Sequence, residues 1–283
     1  MLHIVKDGSA DMPDNWQDQF QIDVLPLMVR FGEETYVAGV DLTHSEFYQL
    51  VREKGVIPHS SLPSPDQIQA FYRKTAVPGD DILSIHVSSK MSGTFSAVKI
   101  AATEMLNEMN ITVLDSGAGS AALGFMCREA RQLSQAGHTV NQIVRRLEEV
   151  RQQLTVFFTV ENLEFARMSG RISRFQNSLS FVFNIKPIIM LKDGLLQVGE
   201  KVRTRQKALE RIIECVRGRI GQQQVEIAVV HAADITTAQK LVDCLRDWKN
   251  VIDIHITDLA IPVAANLGPG TVGIVAYPID KGE

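Results

Sequence analysis

Ile82-Leu83-Ser84-Ile85-His86-Val87-Ser88-Ser89-Lys90-Met91-Ser92-Gly93-Thr94 is the stretch on which the reading of this chain turns. Its first six residues form an apolar run of strand length, and the periodicity after it predicts a helix over Ser96–Met109. A strand that feeds a helix through a Ser/Gly/Thr loop aims backbone N–H groups and the positive end of the helix dipole at one spot. Small hydroxyls and a glycine let a ligand approach closely there, and the spot suits a carboxylate or a phosphate. A second hydroxyl cluster, Ser60-Ser61-Leu62-Pro63-Ser64-Pro65, opens another predicted helix upstream. Ser and Thr are also the preferred helix caps, so the residues alone leave capping and anion binding both open.

Outward from this junction the first half repeats the same rhythm. Leu2–Val5 reads as a strand ending at Asp7, Val24–Phe31 and Thr35–Val37 as a hairpin, and His44–Glu53 and Pro65–Thr75 as helices. Strand Ile111–Leu114 leads to helix Ser120–Ala136, and Thr139–Gln153 is a further helix. Alternation of this kind predicts a mainly parallel sheet flanked by helices, with ligands beyond the carboxyl ends of the strands. From Thr155 the pattern changes. A strand Thr155–Val160 precedes an apolar helical stretch, Asn162–Phe183, broken near Gly170; Ile185–Leu191 and Leu195–Val202 form a hairpin across Lys192-Asp193-Gly194. Helix Thr204–Arg219, strand Val225–Val230, helix Ile235–Trp248 and strands Val251–Ile256 and Gly273–Tyr277 follow. The expectation is an α/β chain of two domains, 1–154 with the parallel sheet and 155–283 with an α+β mixed sheet, and a ligand between them.

Composition bounds the function. The 283 residues are 45% hydrophobic and 22% charged, enough for a large core and an enclosed cavity. A net charge of −4 argues against broad nucleic-acid binding, which rests on phosphate neutralisation. Cys127, Cys215 and Cys244 are too widely spaced for a disulfide ladder or a Cys-x-x-Cys site, and a reduced, cytoplasmic setting is expected. Met1–Asp7 turns polar too soon for a secretory leader, and no apolar run is long enough for a membrane span.

Catalytic and cofactor motifs are sparse. Gly268-Pro269-Gly270-Thr271-Val272-Gly273 has the letters of a dinucleotide fingerprint, but too little chain follows for the crossover helix and second strand, and a tight loop before a strand is expected. There is no P-loop, no zinc-ligand spacing and no G-x-S-x-G elbow. An enzyme reading survives in one form, a hydrolase or transferase with Ser92 as nucleophile and His59 or His86 as base. Arg167, Arg171, Arg174, Lys201, Arg203, Arg205, Lys207 and Arg211 concentrate positive charge in the second half, either as a solvated face or as a docking patch for an acidic partner. A regulatory module that senses a lipid or an acyl-phosphate and docks through this patch is a third reading.

Taken in order, several pieces resemble the DegV family, the fatty-acid-binding subunits of bacterial fatty acid kinase systems. They are Asp7–Asp11, Val24-Leu25-Pro26-Leu27, Gly39-Val40-Asp41-Leu42-Thr43, the two serine motifs, Asp115-Ser116, Gly170-Arg171-Ile172, Ile185-Lys186-Pro187-Ile188-Ile189 with Asp193-Gly194, and Gly268-Pro269-Gly270. The resemblance spans essentially the whole chain. It implies a non-catalytic subunit that buries a long-chain fatty acid between its domains and presents the carboxylate to a separate kinase for acyl-phosphate formation, with no cofactor and no metal. It places Ser60, Ser61 and Ser92, beside Gly93 and Thr94, on the carboxylate, and Arg203 and Arg205, together with Arg171, on the kinase-docking surface. Three positions depart from the family pattern: Asn266 replaces a usual histidine near the head group, Leu62 a glutamine, and Gly8 a serine. Asparagine donates hydrogen bonds but cannot become a cation.

Overall fold

The computed structural model describes residues 1–173 and 185–279. Its first half runs β1 (Leu2–Asp7), the single turn α1 (Trp16–Gln19), β2 (Ile22–Leu25), β3 (Met28–Phe31), β4 (Glu34–Val37), α2 (His44–Lys54), β5 (His59–Ser61), α3 (Pro65–Thr75), β6 (Asp81–His86), α4 (Thr94–Glu104), β7 (Asn110–Asp115), α5 (Ser120–Gln135) and α6 (Val140–Arg151). The second half runs β8 (Thr155–Thr159), α7 (Leu163–Ser169), β9 (Ile172–Ser173), β10 (Lys186–Lys192), β11 (Leu195–Val202), α8 (Arg205–Ile220), β12 (Val225–His231), α9 (Ile235–Leu245), β13 (Val251–Asp258), α10 (Ile261–Leu267) and β14 (Val272–Pro278).

Three sheets result. The first is wholly parallel, in the order β2-β1-β6-β7. Ile82, Leu83 and Ile85 are fully buried, as a central parallel strand covered on both faces requires. The chain steps from β1 to β2 on one side and to β6 and β7 on the other, so the topological switch lies between β1 and β6. A small antiparallel sheet, β4-β3-β5, stands apart from it, and a seven-stranded mixed sheet, β13-β12-β14-β8-β10-β11-β9, takes the rest. The expected α/β class is therefore present, with a parallel sheet in the first half and a mixed sheet in the second.

Helix α5 joins the halves. It packs on β1, β2 and β6 with one face and on β14 with another. One continuous apolar cluster runs from Ile4 and Leu83 through Phe125 to Val275 and Tyr277. Arg128 of α5 reaches Glu226 of β12 with two N–H groups, at 2.6 and 2.9 Å, and lies 4.5 Å over the Trp16 ring. Neighbouring Arg131 donates to the carbonyls of Leu2, Phe20 and Gln21, which ties α5 to the parallel sheet.

The structure corrects several sequence expectations. Val24–Phe31 is two strands in two sheets, because Pro26 has no N–H to carry a ladder onward. His59–Ser61 is a strand, with Ser60 opposite Val29 and Ser61 opposite Met28. The helix expected over Ser96–Met109 begins at Thr94 and ends at Glu104. Of the stretch Asn162–Phe183, Leu163–Ser169 is helical and ends at Gly170 in the left-handed conformation (φ 68°), as the expected break requires. Ile172–Ser173 then pairs with β11, and the part from Arg174 to Phe183 lies outside the described residues. The β10–β11 hairpin forms as predicted: Asp193 and Gly194 both have positive φ, which matches the right-handed strand twist.

Candidate functional site

Four chain segments converge at the switch point: the end of β1 and the turn after it (Asp7–Ser9), the loop after β6 (Val87–Ser92), the start of α5 (Gly119–Ser120), and α10. Ser9, Ser92 and Ser120 line a cavity with Ser60 from β5 and Asn266 from α10. The cavity holds about 930 Å³ free of protein atoms, counted to its open mouth. Its remaining wall is largely apolar. β8 contributes Val156, Phe157 and Phe158; the β10–β11 hairpin contributes Leu191 and Leu196; Val230 comes from β12, and Ile274 and Val275 from β14. The seven-stranded sheet thus supplies a greasy floor, while the polar groups come mostly from the first half and α10.

The strand pleat separates the two serines of the first motif. Successive side chains on β5 point to opposite sides, so Ser60 lines the cavity and Ser61 is exposed. Ser64 is a helix cap: it accepts from the Gln67 N–H, and Gln67 reaches back to the Ser64 N–H. In the second motif Ser92 lines the cavity, its Oγ 2.9 Å from Thr94 Oγ1 and accepting from the Thr94 N–H at 3.3 Å. Thr94 is buried behind it, and Gly93 is exposed at the N-cap of α4. Asn266 Nδ2 donates to Ser60 Oγ at 3.1 Å and to the Pro262 carbonyl at 2.7 Å.

Two buried carboxylates support this polar rim. Asp7 is fully buried and accepts from the Val87 N–H at 2.8 Å, the Ser9 N–H at 2.9 Å and the Ser9 hydroxyl. Burial works to raise its pKa, but the bonds from His86, Ser9 and Val87 outweigh it and hold the carboxyl below its usual range. Asp11 accepts from the Ser120 hydroxyl and, at 2.6 Å, from the Ala260 N–H. It thereby pins the start of α10 to the end of β1. Burial pushes Asp11 up to about 7, against the opposing bonds and the nearby Lys6 charge. Lys6 is itself buried, which lowers its pKa, and it donates to the Ala10 carbonyl at 3.1 Å.

His86 is not available to Ser92 as a base. His86 is sealed in the core, with Nδ1 3.2 Å from Asp7 and Nε2 2.7 Å from Ser84 Oγ. Ser84, His86 and Asp7 have the bond order of a nucleophile, base and orienting acid, but all three are fully buried and Tyr72 OH covers Ser84 Oγ at 2.7 Å. His59 is exposed on β5.

The positive residues divide. Arg171, grouped with the docking patch in the sequence, lines the cavity and donates to the Ser169 carbonyl. Arg205 is paired with Glu161 and Asp234, Lys207 with Glu210, and Arg211 with Glu200 and Glu214. Arg203 is exposed and has no ion-pair partner among the described residues. Arg174 lies outside them. Among the described residues no group of three or more His, Cys, Asp or Glu is placed to hold a metal, and no helix is long and apolar enough to cross a membrane.

Sequence reasoning missed α10 altogether. Ile261-Pro262-Val263-Ala264-Ala265-Asn266-Leu267 reads as a short apolar run with a proline. The available signal was that proline in the first helical turn and Gly268 just past the end. Four of its seven residues, Pro262, Val263, Asn266 and Leu267, line the cavity.

Fold and cavity together define an α/β protein built on a parallel sheet and a mixed sheet, with a hydroxyl-rimmed apolar cavity where they meet. The DegV family, described as uncharacterised proteins, matches residues 1–279. A DegV domain-containing protein of Streptomyces coelicolor is 32% identical over 274 residues, covering 96% of each chain. A Thermus thermophilus DegV family protein, described for its fatty acid binding, superposes with a TM-score of 0.91 at 30% identity, over 98% of this chain and 99% of its own. Bacillus subtilis DegV, described as a fatty acid binding protein, gives 0.88 at 29% identity over 98% and 99%. The chain belongs to the DegV family.

Proposed function

We propose that this protein binds one long-chain fatty acid in the cavity and presents its carboxylate to a separate kinase, without chemistry of its own. The observation that carries this reading is the cavity's make-up: a few polar side chains, Ser9, Ser60, Ser92, Ser120, Arg171 and Asn266 among them, line a wall that is otherwise largely apolar. Relatives described as fatty acid binding proteins support it. A tail of about fourteen methylenes contributes roughly 11 kcal/mol when buried. Association and ordering offset about 4–15 kcal/mol of that. The tail therefore supplies affinity, and the hydroxyls supply orientation and meet the cost of desolvating the head group. Arg171 is the cationic lining residue and takes the charge-compensating role that Asn266 cannot fill. In this reading 1–154 and 155–283 act as two domains closing on the ligand in the cytoplasm, and Arg203 belongs to the surface the kinase meets.

Native mass spectrometry of the purified protein tests the first claim: one co-purifying acyl chain is expected, and a protein that stays empty after incubation with fatty acids refutes it. For the second, Arg203→Ala is expected to slow ATP consumption with a cognate kinase; undiminished turnover removes Arg203 from the docking surface.

A further inference from the structure

We infer that a polar groove, at the seam between the parallel sheet and the β10–β11 hairpin, is a binding site for a small phosphate dianion, free or carried as a monoester. The inference goes beyond the fatty-acid reading and does not depend on it.

The groove is distinct from the apolar cavity, with Leu191 as the one lining residue the two share among those described. It holds about 1270 Å³ free of protein atoms, counted to its open mouth. Four cations reach it from four segments: Lys90 from the loop after β6, Arg151 from the end of α6, Lys192 from the end of β10, and Arg219 from the last turn of α8. Among the described residues none of the four has a carboxylate within ion-pair distance, whereas Arg128, Arg205 and Arg211 each meet one.

Two of the four are held in place by neutral groups. Lys90 Nζ donates to the Asp193 carbonyl at 2.8 Å, and Arg151 to the Asp115 carbonyl at 3.0 Å. A carbonyl fixes a cation's position and leaves its charge uncancelled. The Arg151 stem lies across Gly117, where a Cβ would stand 2.6 Å from Arg151 Cδ. The hairpin turn is pressed onto the sheet edge in the same way. Ser88 Oγ donates to the Gly194 carbonyl at 2.7 Å, and a Cβ on Gly194 would stand 2.8 Å from that oxygen. The two sides of the groove are therefore joined before any ligand arrives. Helix dipoles favour cations in last turns, which accounts for Arg151 and Arg219 singly. They do not account for Lys90 and Lys192, which lie outside helices and meet the same groove.

Charge selects the ligand class. Asp115 and Asp193 are the carboxylates in the lining, and one Asp115 oxygen already accepts from the Ser89 and Gly117 N–H groups at 3.2 and 2.9 Å. Four cations against two carboxylates leave two net positive charges, which a phosphate dianion cancels and a simple carboxylate only halves. Guanidinium groups also match the fork of phosphate oxygens. Among the described lining residues no aromatic ring offers a nucleobase a stacking face, which favours a compact ligand. Arg219 lies near the far end of α8 from Arg205, roughly 21 Å along the axis at 1.5 Å per residue, so the groove is not the Arg203 surface.

The test is isothermal titration calorimetry of the full chain in phosphate-free buffer at about 0.15 M salt, with inorganic phosphate, glycerol 3-phosphate and acetate as probes. Saturable one-site binding of phosphate or its monoester is expected, about tenfold or more tighter than acetate. Tighter binding of glycerol 3-phosphate assigns the monoester; equal or tighter binding of inorganic phosphate assigns the free ion. Lys192→Gln and Arg219→Gln change exposed side chains, and each should weaken binding about tenfold. Lys99→Gln removes the same charge from the exposed face of α4, outside the groove, and should change it less than about twofold because salt screens distant charges. No saturable heat with either phosphate, acetate bound as tightly, or equal weakening by Lys99→Gln overturns the site.

Discussion

Gly124→Ala sets a local preference against a tertiary contact. Gly124 lies inside α5, where alanine is the better helix former by about 1 kcal/mol. Judged by the helix alone, the substitution stabilises. The structure opposes it: a Cβ built on Gly124 lies 2.1 Å from the Asp11 carbonyl oxygen and 3.3 Å from its carbonyl carbon. The obstacle is backbone, which cannot rotate away as a side chain end would, and the overlap exceeds an ångström. Overpacking of this kind costs about 1–3 kcal/mol and occasionally more, and the upper part of that range applies where backbone must move. After the helical gain, a net loss of about 2 kcal/mol is expected, or a fall in Tm of roughly 5 °C for a chain of this size. The displaced segment carries Asp11, whose carboxylate holds the Ala260 N–H at the start of α10, so fatty-acid affinity should fall as well. Thermal denaturation followed by circular dichroism, beside a fluorescent fatty-acid titration, reads both. A variant as stable as the wild type, or more so, would refute the close packing of α5 on the β1 loop.

Ser92→Ala should weaken fatty-acid binding by about 1–3 kcal/mol, the cost of an unmet buried hydrogen bond, and an unchanged titration removes Ser92 from the head-group site. The Asp11 carboxyl, raised by burial to about 7, keeps its proton in the folded state over a range where the unfolded chain has lost it. Its contribution to stability therefore falls as pH rises from about 4 to about 7. Asp11→Asn should gain on the wild type in urea denaturation as pH is raised across that range; a constant difference contradicts the burial argument. Arg128→Ala leaves the partly buried Glu226 carboxylate with His255 as its remaining ion-pair partner and uncovers Trp16, and a loss of about 1.5–3 kcal/mol is expected in the same assay. Burial works to raise the Glu226 pKa, but bonds from His255 and Arg128 hold it down at about 2, so the part of stability it carries is present above the usual carboxylate range and lost as pH falls through it.

Much of this molecule is legible in its sequence because the relevant physics is local. The run Ile82–Val87 reads as a strand buried on both faces, and its neighbours follow the same alternation, so the parallel sheet was predictable from spacing. Asp193-Gly194 needs only its own backbone preferences to make the hairpin. The two serine motifs announce polar loops at strand ends and helix starts. What the sequence cannot carry is which side of a strand faces inward, or which distant segments meet. The pleat of β5 turned Ser60 to the cavity and Ser61 to solvent, and only pairing with β3 set that register. Helix α10 is too short and too apolar to declare itself, yet docking through Asp11 brings Asn266 to a serine 206 positions away. Arg171 looked like surface charge until β9 joined β11 and carried it to the cavity wall. Residue type and period set the elements; long-range packing, which no window of sequence contains, chose the side chains that face the ligand.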